Sequence, residues 1–564
     1  MIQLLYRVNI FFTKNKLIYT FKACLAITLA LGISMSLDLE KPMWAMISAL
    51  FLQVRPETGF IIEKAVGLVL ASFIGVIVGF MIVSLFLPYP TLALSSLCFF
   101  IAITVFFSAG MSHSNFIYAF TLANTTCLII VFYSIATPAL TTGESIFDTG
   151  YFRVTEIMIG SLCSCLVNYY IFPMKVESTL KKHVEKSLDL TINYITDIFS
   201  AEDFTNNEKY NIQVENILNN LIILDNDLSA ARYENLKKEN YYIFSNRIVS
   251  LIQSAHLLRK HTTKSKSKDI IKKELKQIHE EICRKSILDI KLTSDSKNIL
   301  ITTIVDKLNA IINSYHMTSK NTSNNAINKD YYSFKNYNNP ISTLIIISRT
   351  ICLILCLSLF WINTEGNSSL LMMLVLPCVL SQLFIAAPAP EELVKKATLG
   401  ILIAIPISIF ITLTLLAQVV GYFELLILIL LISLFPAILV MTDLRFQASC
   451  IGFCLAFICI IQPSNHMSFE TSKSITVGIS ALVGCGVLWI VFKLFPHSPY
   501  AITRRFAIRS IIKDIKKLQL KEISEKQFQS SLIKKILCVY KNRKDDQSSE
   551  RDIEFALQSL TKCY

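Results

Sequence analysis

About a dozen apolar runs divide this chain, most of them about 17–25 residues long, the length a helix needs to cross the hydrocarbon core of a bilayer. A water-soluble fold of 564 residues has no core large enough to hide them all. Six runs fall near residues 17–36, 42–54, 62–87, 92–110, 115–137 and 153–172, and six more near 342–362, 367–386, 397–417, 423–441, 447–462 and 473–495. The second run is short and needs tilt or local thinning of the bilayer to fit. Bases at Arg7, Lys14 and Lys16 precede the first run and no small-residue cleavage site follows it, so it reads as a retained span.

Between the blocks lies a polar stretch with helical amphipathic patterns, for example Val214, Ile217, Leu218, Leu221 and Ile222, then Ile248, Leu251 and Ile252. It ends in a loop rich in Asn, Ser and Tyr, from Asn321 to Asn339. The expected fold is an all-α polytopic membrane protein. Two parallel repeats of about six transmembrane helices (1–173 and 341–496) flank a helical cytoplasmic domain (174–340), and a basic helical cytoplasmic tail (497–564) follows.

Charge placement gives the orientation. The net charge of +13 invites a nucleic-acid partner, but Lys and Arg collect in the middle segment and the tail, beside the apolar blocks. That is the pattern of cytoplasmic flanks, so no nucleic-acid partner is expected. With the N-terminus inside, the inner loops hold Arg55, Lys64, Lys395, Lys396 and Arg445. The outer stretch from Thr137 to Tyr151 has Glu144 and Asp148 and no base; only Lys41 and Lys473 break the rule. Both termini and the middle domain are therefore expected in the cytoplasm.

The two blocks match each other. Each carries a base a turn or so into its first span, Lys22 and Arg349, and a Pro after its second, Pro56 and Pro388. Each then has small residues at every fourth position: Ala71, Gly75 and Gly79, against Gly400, Ala404, Ser408 and Thr412. That spacing lets helix backbones approach closely. Each block ends in Phe-Pro, at Phe172-Pro173 and Phe495-Pro496. Transporters built from such repeats place the substrate near the midplane, at the repeat interface.

Twelve of the fifteen cysteines sit inside apolar runs, where a free thiol behaves as a small hydrophobe. The pairs Cys352/Cys356 and Cys450/Cys454 lack a His or carboxylate to complete a metal site, so no metal is expected. No G-x-x-x-x-G-K-[ST] run occurs, which argues against ATP-driven transport by this chain, and no hydrolase motif appears. Neither enzyme activity nor a cofactor is expected.

The chemistry-bearing residues inside the spans are few. A base at the centre of a membrane helix costs about 2.5–3.5 kcal/mol on insertion scales, unless it snorkels to the headgroups. Lys22 and Arg349 are thus either snorkelling or attracting an anion. Arg153 and Glu156, three apart, share a helix face, with Asp148 just before them. They read either as an ion pair or as a proton-coupling group, Glu156 being the proton acceptor. Asn115, Tyr118 and Asn124 put polarity into the fifth span; Trp44, Tyr118 and Trp361 could stack on an aromatic substrate, or, for Trp44 and Trp361 near the outer face, belong to an interfacial aromatic belt. The substrate-binding candidates are therefore Lys22, Trp44, Asn115, Tyr118, Asn124, Arg349 and Trp361, and the proton-coupling candidates Asp148, Arg153 and Glu156.

Several stretches carry a family resemblance: Lys41-Pro42-Met43-Trp44-Ala45-Met46 with Pro56 and Gly59, and Asn115 through Ala123. To these add Phe147-Asp148 followed by Arg153-Val154-Thr155-Glu156-Ile157-Met158-Ile159-Gly160 and Phe172-Pro173. Arg349, Phe360-Trp361-Ile362-Asn363-Thr364-Glu365-Gly366 and Ala387-Pro388 supply the matching block, and Ala231-Arg232-Tyr233-Glu234 a weaker match in the middle segment. Together they resemble the fusaric acid resistance and aromatic acid exporter family. The resemblance implies a bacterial inner-membrane efflux subunit for aromatic carboxylates or related compounds, often working with a periplasmic adaptor. Where that family usually has Arg and then Gly-Thr in the third span, this chain has Leu68 and Ala71-Ser72. The leading expectation is proton-coupled export of small organic anions. An anion channel and a membrane sensor or scaffold acting through its cytoplasmic domain stay open beside it. The amphipathic helices of the middle segment suggest either self-association, as a homo-oligomer, or packing under the membrane.

Overall fold

The computed structural model describes residues 13–111, 113–200, 207–234, 236–264, 299–320, 333–364, 368–384, 387, 389–418, 421–467, 469–495, 500–543 and 547–560. Glu365, Gly366, Pro388, Pro496 and the 321–332 part of the expected loop lie outside them. The chain divides into two compact units: residues 1–174 with 342–497, and 175–341 with 498–564.

In the first unit the helices are α1 (Lys14–Ser36), α2 (Met43–Leu52), α3 (Thr58–Phe86), α4 (Pro90–Ala109), α5 (Ser114–Ala136) and α6 (Gly143–Tyr170). The helices of the middle segment are α7 (Val176–Ser200), α8 (Asn207–Asp227), α9 (Lys238–Lys264) and α10 (Ile299–Lys320). The first unit resumes with α11 (Pro340–Asn363), α12 (Met372–Leu383), α13 (Pro390–Phe410), α14 (Phe423–Met441), α15 (Gln447–Ile461) and α16 (Thr471–Leu494). Among the described residues nine of these twelve are long and apolar enough to span a membrane, and α2, α12 and α15 are shorter.

Burial explains the short ones. All residues of α2 and nearly all of α12 are buried, so other helices, not lipid, surround them. A helix wrapped in protein need not match the bilayer thickness. By contrast, only 28% of the apolar window of α14 is buried, against 72% for α5: α14 faces outward and α5 belongs to the core.

One expectation needs correction. The stretch from Thr137 to Tyr151 is not an open loop, because α6 starts at Gly143, ten residues before the expected start of the sixth span. The cause is a capping box. Thr142 Oγ1 accepts from the Ser145 N–H at 3.2 Å, and Ser145 Oγ accepts from the Thr142 N–H at 2.9 Å. Glu144 and Asp148 are thereby helical and exposed.

The same pairings recur in both halves. α3 packs on α5 and α6, α2 on α6, and α4 on α5; likewise α13 packs on α15 and α16, α12 on α16, and α14 on α15. Small residues allow the closest approaches. A Cβ on Gly160 would lie 2.3 Å from the Ala45 carbonyl oxygen, and one on Gly484 equally 2.3 Å from that of Met373. Between halves the contacts are reciprocal, α2 with α15 and α12 with α5.

The second unit packs α7–α10 with the tail helices α17 (Tyr500–Gln519), α18 (Glu525–Lys541) and α19 (Gln547–Leu560). The apolar stripes at Val214, Ile217, Leu218, Leu221 and Ile222, and at Ile248, Leu251 and Ile252, are buried. Charged pairs tie the tail to the middle segment: Arg543 to Glu215 at 2.7 Å, and the buried Lys534 to Asp225 at 3.8 Å. Burial pushes the Asp225 carboxyl up to about 6 while Lys534 opposes the shift.

Candidate functional site

Arg153 sits on α6, a helix held against α2 by the close contact at Gly160. That packing brings the guanidinium over the Trp44 ring, 3.8 Å from its centroid. Arg153 is 3% exposed, and its Nε and Nη1 find no hydrogen-bond acceptor among the described residues. An ion pair with Glu156, one of the two readings of this helix face, is not among the described contacts, although the two share a helix. Glu156 instead accepts from the Lys41 backbone N–H at 2.8 Å, just before α2 begins. A carboxylate there also meets the positive end of the α2 dipole. Asp148 is exposed, almost a turn and a half before Arg153, and joins neither group.

Trp44 and Arg153 line a narrow cavity of about 30 Å³ together with Phe51, Leu68 and Tyr118. Tyr118 packs on Phe51, ring centroids 4.9 Å apart. Lys64 Nζ also lies 4.0 Å from the Tyr118 centroid and donates to the Phe51 carbonyl at 2.7 Å. Three hydroxyls complete the walls. Ser48 donates to the Trp44 carbonyl, Thr121 to that of Ile117 and Thr125 to that of Thr121, at 2.8–2.9 Å. Their protons are spent on the helix backbone, so toward any further partner each oxygen can only accept.

The other candidates stand elsewhere. Lys22 is 1% exposed, and its Nζ donates at 3.1 Å to the Phe172 carbonyl, beyond the end of α6. A cation there completes a helix C-terminus. Arg349 is 4% exposed and its guanidinium lies 3.8 Å from the Phe492 ring centroid, on α16. Each base thus meets the last span of its own half. Asn115 donates to Glu63 at 2.7 Å. Asn124 accepts from Thr104 at 2.6 Å and donates to Gln382 at 3.0 Å, joining α5 to α12. Trp361 packs edge-on to Phe132, centroids 5.2 Å apart.

Of the ten candidates, Trp44, Tyr118 and Arg153 come together. Sequence reading missed Glu63 and Gln382, whose partners lie 52 and 258 residues away along the chain. It also missed the wall hydroxyls Ser48 and Thr121, which nothing in local spacing marks. Among the described residues no group of His, Cys, Asp and Glu could hold a metal ion.

Comparison with known proteins gives two findings. A model of the fusaric acid resistance protein family matches residues 16–561. A p-hydroxybenzoic acid efflux pump subunit AaeB of Yersinia pestis (strain Pestoides F) is 23% identical over 516 residues, covering 85% of this chain and 76% of that protein. Its counterpart in Yersinia pseudotuberculosis (serotype O:1b, strain IP 31758) matches with the same figures.

Proposed function

This chain belongs to the fusaric acid resistance protein family, and from that premise we propose that it exports hydroxylated aromatic carboxylates across the bacterial inner membrane, with the Trp44–Tyr118–Arg153 cavity as the substrate site. The observation that carries this reading is the unspent guanidinium. A buried cation with donors unused is costly to fold. A carboxylate accepting two parallel hydrogen bonds, from Nη2 and either Nε or Nη1, would satisfy one of the unused nitrogens. The rings of Trp44, Phe51 and Tyr118 suit a flat aromatic body, and the acceptor-only hydroxyls of Ser48 and Thr121 suit a phenolic O–H. The names of the relatives, p-hydroxybenzoic acid efflux pump subunits, agree with that chemistry and suggest a partner subunit. At about 30 Å³ the cavity holds one water and not an aromatic acid, so this conformation is closed and transport requires it to open. Leu68, which stands where the family usually has Arg, is part of the same wall. The choice among aromatic acids is therefore expected to differ from that of relatives with the second cation.

The test is a strain deleted for this chain, challenged with a panel of aromatic acids. It should become sensitive to hydroxylated acids and regain tolerance on complementation. Unchanged tolerance across the panel, with the protein abundant in the parent, rejects the reading.

Energy is expected from the proton gradient, with Glu156 carrying the proton. Glu156→Gln keeps an acceptor for the Lys41 N–H, so the fold should survive and abundance stay level. Export against a gradient should cease, while downhill exchange of the acid persists. Uphill export by the variant at the parent rate would remove Glu156 from the coupling path.

We infer from the bases of the flanking loops that both termini and the second unit lie in the cytoplasm. A cysteine replacing exposed Glu144 should react with an impermeant maleimide on intact cells, and one replacing exposed Lys237 should react only after lysis. Labelling at 237 from outside would invert the topology.

A further inference from the structure

We propose that the protein carries a second ligand site, for uncharged aromatic amphiphiles, in a cavity of about 520 Å³ where the end of α1 meets the start of α14 and the α15–α16 linker. This site shares no residue with the Arg153 cavity and does not depend on the acid-export reading.

Its volume falls within the range of small-molecule sites, about 300–1,000 Å³. Its walls are apolar and largely aromatic or thioether: Met35, Leu416, Phe423, Leu426, Met467 and Phe469. Leu416 and Leu426 are buried, at 3% and 8% exposure, and form the closed side. Flexible Met side chains beside aromatic rings adapt to varied flat ligands. The polar groups sit at the rim, where Ser36, Tyr422, Asn465 and His466 can meet the hydrogen-bonding end of an amphiphile.

The rim is also held in place. Asn465 Nδ2 donates to the Met35 carbonyl at 2.8 Å and to Asp38 Oδ1 at 2.7 Å, fastening the linker to the end of α1. Asp38 takes a left-handed backbone, φ 50°, as does Gln462 at the end of α15, φ 46°. A non-glycine residue in that region in each of the two connections, after α1 and after α15, marks backbone whose path is set by its contacts.

Charge decides the ligand class. No Lys or Arg is among the described lining residues. Next to the lining residues along the chain stand the carboxylates Asp38, Glu424 at the start of α14 and Glu470 at the cap of α16, and Lys473 one turn further on. An acid would find no Lys or Arg among the described lining residues to offset the cost of burying its charge, whereas an uncharged aromatic gains burial without an ionic cost.

A matched pair of probes tests this: N-phenyl-1-naphthylamine, uncharged at neutral pH, and 8-anilino-1-naphthalenesulfonate, the same skeleton with an anionic group. The full chain carrying Ser464→Cys is placed in lipid nanodiscs. Its reaction with a water-soluble maleimide is followed on the peptide containing residue 464, so other cysteines do not interfere. The uncharged probe at a few times its dissociation constant should slow labelling about fivefold, and the sulfonate should leave it unchanged. Adding Gly32→Trp, whose Cβ would already lie 3.1 Å from Phe423 Cζ, should abolish protection. Ser36→Trp fills the cavity from an exposed position and serves if the first plug fails to fold. Equal protection by both probes overturns the uncharged preference. Absence of protection by either overturns the site. Labelling that is slow in nanodiscs, speeds up on delipidation and ignores both probes marks a lipid-filled cavity and equally overturns it.

Discussion

Arg153→Gln is expected to raise the concentration of aromatic acid needed for half-maximal export by about 30-fold or more, because truncating one partner of a buried, hydrogen-bonded charge pair costs about 2–5 kcal/mol. The same substitution should not weaken the fold. Without substrate the guanidinium is buried on Trp44 with Nε and Nη1 unsatisfied, so removing it removes a desolvation cost. A structural arginine behaves in the opposite way: its loss lowers abundance and thermal stability and leaves the export curve of the surviving protein unchanged. Export curves in vesicles, normalised to protein amount, and melting in detergent separate the two outcomes. Arg153→Lys keeps the charge and loses both the planar fork and the stacking, so its curve should fall between those of the parent and the glutamine variant. A half-maximal concentration for Arg153→Gln equal to that of the parent removes Arg153 from the site.

The membrane architecture was legible because its signal is local. A run of apolar residues states its own length, and among the described residues the twelve expected runs correspond to twelve apolar helices. Start points were less legible. The α6 start depends on a two-residue hydrogen-bond exchange between Thr142 and Ser145, which hydropathy does not register. The site was legible by residue type and not by partner. Arg153 and Glu156 share a face, but each finds its nearest polar or aromatic partner on or just before α2, more than a hundred residues earlier. Lys22 and Arg349 stood out for the cost of a base in an apolar run. The structure gives each a contact in its own half, the Phe172 carbonyl and the Phe492 ring, in place of an open path. Such contacts depend on which helices are neighbours, and the order of spans along the chain does not specify that.

The repeat itself is open to test through two glycines, Gly160, which sequence reading met only as the end of a motif, and Gly484, which it passed over. Gly160 on α6 and Gly484 on α16 occupy corresponding places, each against the second helix of its own half. A methyl at either would lie 2.3 Å from a backbone carbonyl oxygen, of Ala45 or of Met373. Backbone cannot yield as a side-chain tip does, so the helices must part and a densely packed interface opens along its length. Gly160→Ala also adds a contact of 2.9 Å with Ser48 Cβ, and Gly484→Ala one of 2.7 Å with Pro377 Cγ. If the halves are repeats built on the same contact, the two variants should fail together and to a similar degree. Each should lose about 2–4 kcal/mol, seen as a collapse of folded protein by fluorescence-detected size exclusion. Gly486→Ala is the control: it lies on the same helix two residues from Gly484, nothing stands within 4 Å of its Cβ, and helix propensity favours Ala. Its yield should match or exceed that of the parent. Near-parent yield from Gly484→Ala beside a collapsed Gly160→Ala would mean that the second half tolerates a looser seam, and the two halves would then share topology without sharing the contact that builds it.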